Sequence, residues 1–141
     1  SRKWVAYLIT FGGLFLSDVI MNNIVYAHVF DGFVWFDATS WGRYLSYGLI
    51  ILTSALIVKK VSVKSTVASS VAAVALFFIV SNFAVWTSGL MYPKTAVGLV
   101  ETYTMAIPFL GWNLISTLVF AGAFFGVYEL ALASKLRSQK A

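Results

Sequence analysis

The run VAAVALFFIV at positions 71–80 narrows most what this chain can become. Ten consecutive apolar side chains cannot alternate between a wet and a dry face. They therefore argue against the short alternating strands of a membrane barrel. The run lies inside a longer apolar stretch at 66–91, TVASSVAAVALFFIVSNFAVWTSGLM. A hydrocarbon core of ~30 Å needs about 20 apolar residues of helix. Backbone exposed to hydrocarbon must satisfy its hydrogen bonds within its own segment, and that leaves only the helix. Three more segments fit the same description: 4–27 (WVAYLITFGGLFLSDVIMNNIVYA), 42–58 (GRYLSYGLIILTSALIV) and 110–133 (LGWNLISTLVFAGAFFGVYELALA). The sequence predicts an all-α membrane protein. It has four transmembrane helices in a single transmembrane domain, 1–141.

Composition agrees and removes several function classes. Hydrophobic residues make up 60% of the chain and charged residues 11%, whereas a soluble domain is about 25% charged. Such a chain cannot cover a water-facing surface and must face lipid. There is no cysteine, so disulfides, thiolate metal sites and a cysteine nucleophile are excluded. No zinc spacing, phosphate-binding loop, dinucleotide turn or serine elbow is present. One intramembrane carboxylate without a paired base or nucleophile is poor equipment for an enzyme. The expectation is a non-catalytic protein with no cofactor and no metal. The net charge of +5 does not indicate nucleic acid, because the basic residues sit at the ends of apolar segments and not along one face.

Their distribution orients the chain. Arg2, Lys3, Lys59, Lys60, Lys64, Lys135, Arg137 and Lys140 fall on one side, and Arg43 and Lys94 on the other. By the positive-inside rule, the two termini and the loop KKVSVKS (59–65) are cytoplasmic. The loops HVFDGFVWFDATSW (28–41) and YPKTAVGLVETYTMAIPF (92–109) face outward. The second carries apolar residues at helical spacing over 95–107, which predicts a short helix lying at the outer surface. Pro93 ends the third helix after Gly89, and Pro108 resets the direction before the fourth. The chain opens SRK directly into an apolar run, with no convincing signal-peptide cleavage site, so further N-terminal residues are expected.

Polar residues gather toward the outer end. An Asp at the centre of a membrane helix costs at least ~2.5 kcal/mol. Asp18 and Asn22 are four apart and share a helix face. Asn82 and Trp86 repeat that spacing on the third segment: an amide with donors and an acceptor beside a stacking face. Glu101 and Tyr103 lie on the surface helix, and Asn113 opens the fourth segment. These seven are the candidate ligand-binding residues, at one shared outer depth. Five of them have a plainer role. Asp18, Asn82 and Asn113 can hold helices together, and Trp86 and Tyr103 can belong to an interfacial aromatic belt. His28, Asp31 and Asp37 read as solvated loop residues. The pairs Gly122/Gly126, Ala68/Ala72 and Ser69/Ala73 favour close helix contact.

The motifs SNFAVW (81–86), YPKTAVGL (92–99) and YTMAIPFLGWNL (103–114), with LFLSD (14–18), resemble an uncharacterised bacterial integral-membrane family. Its members carry N-F-x-V-W, Y-P-K-T-x-x-G-L and A-x-P-F-x-x-N runs. The resemblance implies one or two further N-terminal helices and a bundle of about six. IPFLGWNLIS (107–116) is more loosely similar to the run that opens the last helix of the S-components of energy-coupling-factor vitamin transporters. That similarity implies capture of a small nutrient at the outer face of the bacterial inner membrane, without catalysis. The partners implied are lipid bilayer, other membrane protein subunits and a small-molecule ligand. The alternative expectation is a structural or accessory subunit of a larger membrane complex.

Overall fold

The computed structural model describes residues 3–138 and is helical almost throughout. Arg2 and Lys140 of the predicted cytoplasmic set lie outside the described residues. Helix α1 runs over Lys3–Ile20 and passes into a π-helical segment, Met21–Val25. A loop leads to α2 (Ser40–Ile57), and α3 (Val63–Ser88) and α4 (Ala96–Ser138) follow. The start of α3 is a capping box: the hydroxyl of Ser62 accepts from the Ser65 amide, and the Ser65 hydroxyl accepts from the Ser62 amide. These two bonds satisfy donors that every helix leaves orphaned at its N-terminus. Its end is Gly89, with φ 67°, a left-handed conformation that costs a residue bearing Cβ ~1–2 kcal/mol.

The described residues bury little. Val74 and Ala84 are the buried apolar residues among them, while Leu, Ile, Val, Phe and Trp side chains along α1, α3 and α4 stand exposed. A soluble fold hides such groups, so this surface is built for lipid. Three segments are long and apolar enough to cross a membrane: Tyr7–Val25, Val63–Ser88 and Ala96–Leu136. The stretch expected as the second crossing forms a helix, but α2 falls short of that standard. Its first turns carry Arg43, Tyr44 and two serines among the apolar residues.

Helix α3 packs on both α2 and α4. Small residues form the α2–α3 seam. Gly42 faces Ala84 so closely that a methyl group added at Gly42 would collide with it. Ser46 is fully buried and donates to the Gly42 carbonyl, and Ser69 bonds Ser54 across the seam. Backbones this close gain dispersion contacts, which drive helix association where lipid removes the hydrophobic advantage. Gly122 and Gly126 have no such role, since a methyl group on either would meet nothing within 4 Å.

The expected surface helix at 95–107 and separate fourth span at 110–133 are one continuous helix. Pro108 lies inside it. A mid-helix proline removes one backbone bond and crowds the preceding turn, costing ~3 kcal/mol. Packing on α3 to both sides of it offsets that cost. On one side the Tyr103 hydroxyl donates to the Ile79 carbonyl at 2.6 Å. On the other, Asn113 and Thr117 lie beside Ala73 and Val74.

Candidate functional site

An ion-pair network joins α1, α2 and the loop between them. Arg43, in the first turn of α2, places Nε 3.2 Å from Asp18 Oδ1. Its Nη2 donates to Asp37 Oδ2 and to Ser40 Oγ, and its Nη1 donates to Thr39 Oγ1. The other Asp37 oxygen accepts from the Thr39 amide and hydroxyl. Burial works against the charge of Asp37. The bonds from Arg43 and Thr39 outweigh it and hold the carboxyl at a pKa of about 2, below its ordinary 3.8. Asp37 was expected to be a solvated loop charge. It is instead half-buried and paired, because the turn into α2 folds Thr39 and Ser40 back onto it. Asp31 and His28 are exposed, as expected.

The loop is fastened from the α1 side by Asn23. Its amide donates to the Val19 and Val34 carbonyls and accepts from the Val34 amide, at 2.7–2.8 Å. So tethered, the loop lays aromatic rings over this end of the helices. Phe15 stacks on Trp35 with centroids 6.0 Å apart, and Phe36 meets both Phe15 and the edge of Tyr44. At this end of α1 Asp18 is 7% exposed, and in the π-helical segment Asn22 is 5% exposed. Four buried atoms here lack a well-formed hydrogen bond: Asp18 Oδ2, Asn22 Nδ2, Arg43 Nε and the Tyr44 hydroxyl, the last two lying beside Asp18. Leaving such a group unpaired costs ~1–3 kcal/mol each, more for a charged one.

The remaining predicted residues distribute themselves differently. Gly42 contacts Ala84 and Val80, which brings the Arg43 end of α2 level with the C-terminal turns of α3. Asp18, Asn82, Trp86 and Tyr103 therefore share one end of the molecule. They do not share one cluster. Asn82 donates to the Phe78 carbonyl of its own helix. The Trp86 indole donates to the Thr95 carbonyl and closes the α3–α4 turn. Tyr103 is tied to Ile79, and Glu101 is exposed. Asn113 is the exception in depth. Because α4 already begins at Ala96, this residue lies about 25 Å along the helix, well below the Tyr103 level. It lines a groove of about 390 Å³ between α2, α3 and α4 with Tyr47, Phe77 and Thr117. Among the described residues, no three His, Asp or Glu side chains group closely enough to hold a metal ion.

Residues 1–140 match the model of a family of unknown function, DUF6580. The chain belongs to that family. No curated protein and no solved structure matches it.

In this DUF6580 chain, sequence reasoning found Asp18 and Asn22 but missed Arg43, Asp37 and Tyr44. The available signal was Arg43 itself, a guanidinium at the mouth of an apolar segment six residues after an acid. A charge there needs a counter-ion, and Asp18 is the one carboxylate within an α1 otherwise free of acids. What sequence spacing could not supply is that α1 and α2 meet at that level.

Proposed function

We propose that this DUF6580 protein is a non-catalytic membrane protein that captures a small polar solute at the outer face of the bacterial cytoplasmic membrane. It works with other membrane subunits, as the S-component resemblance implies. One observation carries the reading: four polar atoms without a well-formed hydrogen bond lie buried at and around Asp18, on Asp18, Asn22, Arg43 and Tyr44. Buried polar groups are normally hydrogen-bonded, so a second carboxyl oxygen and a neighbouring amide left without partners, with a phenol only loosely placed beside them, favour a site over a plain helix tie. A solute that donates to Asp18 Oδ2 and accepts from Asn22 Nδ2 satisfies both, and leaves Arg43 and Tyr44 to Asp18. In this reading Asp18 and Asn22 contact the ligand. Asn82, Trp86, Glu101 and Tyr103 form or brace the far rim, and Asn113 belongs to the lower groove. The excess of Lys and Arg at the opposite end supports an outward-facing site, with α2 as a fourth crossing made tolerable by the Arg43 ion pairs and with N-terminal helices completing a bundle of about six.

The alternative, an accessory subunit of a larger complex, draws support from the lower half of α4. Its apolar side chains and the Gly122/Gly126 pair have no partner within the described residues. One experiment separates the two. Detergent-purified protein is screened by thermal shift against small polar nutrients, alongside purification from native membrane. Capture predicts a stabilising solute whose effect falls about tenfold or more in Asn22→Ala. A fixed-stoichiometry complex with no stabilising solute would sink it in favour of the accessory role.

A further inference from the structure

We infer, building on the capture reading, that the Asp18 site selects a small protonated amine that also carries an acceptor oxygen. The argument begins with charge. Asp18, Asp37 and Arg43 together carry two negative charges and one positive. Arg43 is engaged on three sides: Nη1 bonds Thr39, Nη2 bonds Asp37 and Ser40, and Nε lies 3.2 Å from Asp18 Oδ1 as an ion pair without hydrogen-bond geometry. Asp37 is spent, with both oxygens accepting. The uncompensated charge therefore rests on Asp18, whose Oδ2 is buried without a donor.

The surroundings suit a cation. Tyr44 lies beside Asp18 and continues through Phe36 and Phe15 to Trp35 as a chain of ring contacts, and the electron-rich face of an aromatic ring attracts an ammonium group. A solute anion would meet the Asp18 carboxylate, and the one guanidinium here is already ion-paired to two carboxyls. A neutral solute would leave the buried charge uncompensated, which is costly. Asn22 adds a second requirement. Its Nδ2 is a buried donor without an acceptor, one helical turn from Asp18 and on the same face. It calls for an acceptor oxygen on the same solute. Amino alcohols and amino acid-like molecules meet both conditions.

The test uses ethanolamine, ethylene glycol and glycolate as probes on the full chain in detergent, at pH 7 and constant ionic strength. Thermal shift and calorimetry are read in parallel. Ethanolamine is expected to bind and stabilise, and the other two are not. Asn22→Ala and Tyr44→Phe should each weaken ethanolamine about tenfold, the scale of one lost hydrogen bond, and Asp18→Asn should abolish binding. If Asp18→Asn fails to fold, the other two variants carry the test. Equal binding of ethylene glycol or glycolate, no binding of ethanolamine, or an affinity indifferent to Asn22→Ala and Tyr44→Phe overturns the inference. A neutral nutrient that binds through Asn22 would overturn the amine assignment and leave capture standing. No solute binding at all would remove both.

Discussion

At the level of single residues, Asp37 shows how position decides chemistry. It sits in a loop that reads as solvent-facing, yet four donors converge on its two oxygens. Its carboxyl is held at about 2 against an ordinary 3.8. A carboxyl with a depressed folded-state pKa contributes stability that is fully present above the unfolded value and is lost as pH falls through the folded one. The loop should therefore stay anchored down to about pH 4 and loosen progressively toward pH 2. A variant keeping Trp35 as its single tryptophan reports this directly, through fluorescence quenching as the ring leaves Phe15. In Asp37→Asn the same loosening should be present already at neutral pH. A quenching curve flat from pH 7 to 2 in the parent would contradict the assignment.

Among the elements, the α2–α3 seam and the lower half of α4 present opposite uses of glycine. Gly42 lies against Ala84 at a separation that leaves no room for Cβ, whereas Gly122 faces open space. Overpacking a closed contact typically costs ~1–3 kcal/mol, and an open position costs almost nothing. Gly42→Leu is expected to lower the melting temperature in detergent by several degrees, and Gly122→Leu to leave it unchanged. Equal effects would mean that α2 does not meet α3 at this point. Pro108 belongs to the same scale. Proline as a boundary was a sound reading of local propensity, and α4 overrides it because its contacts with α3 continue on both sides. Keeping the helix continuous carries a penalty of ~3 kcal/mol that the rest of the fold has to offset.

For the whole molecule, the question is how the helices sit in a bilayer. Among the described residues, α4 is 43 residues long, or about 64 Å of helix, twice a hydrocarbon core of ~30 Å. Its length follows α3 only in part, so α4 projects beyond the α2–α3 pair at the end that carries Lys135. The proposed orientation, from the positive-inside rule, puts that end in the cytoplasm and the Asp18 end outside. Single cysteines introduced at Lys60 and Lys94 should then label from opposite sides of sealed membrane vesicles. Labelling of both by one impermeant reagent from a single side would reverse the proposed exposure of the site.

The sequence by itself determined the class and the inventory. Uninterrupted apolar runs force helices that face lipid, because hydrocarbon offers the backbone no other hydrogen-bond partner. Asp18 and Asn22 stood out because polar groups are expensive there. Helix stops such as Gly89 were legible because a left-handed turn favours glycine. The tertiary structure alone decided which polar groups meet. Asp18 and Arg43 are 25 positions apart, and no periodicity links them. Their encounter depends on Asn23 pinning the loop, on Gly42 setting the level of α2 against α3, and on the turn that folds Thr39 and Ser40 onto Asp37. Local propensity reaches one helical turn along the chain, whereas a site is assembled across helices, by packing that fixes their relative height and rotation.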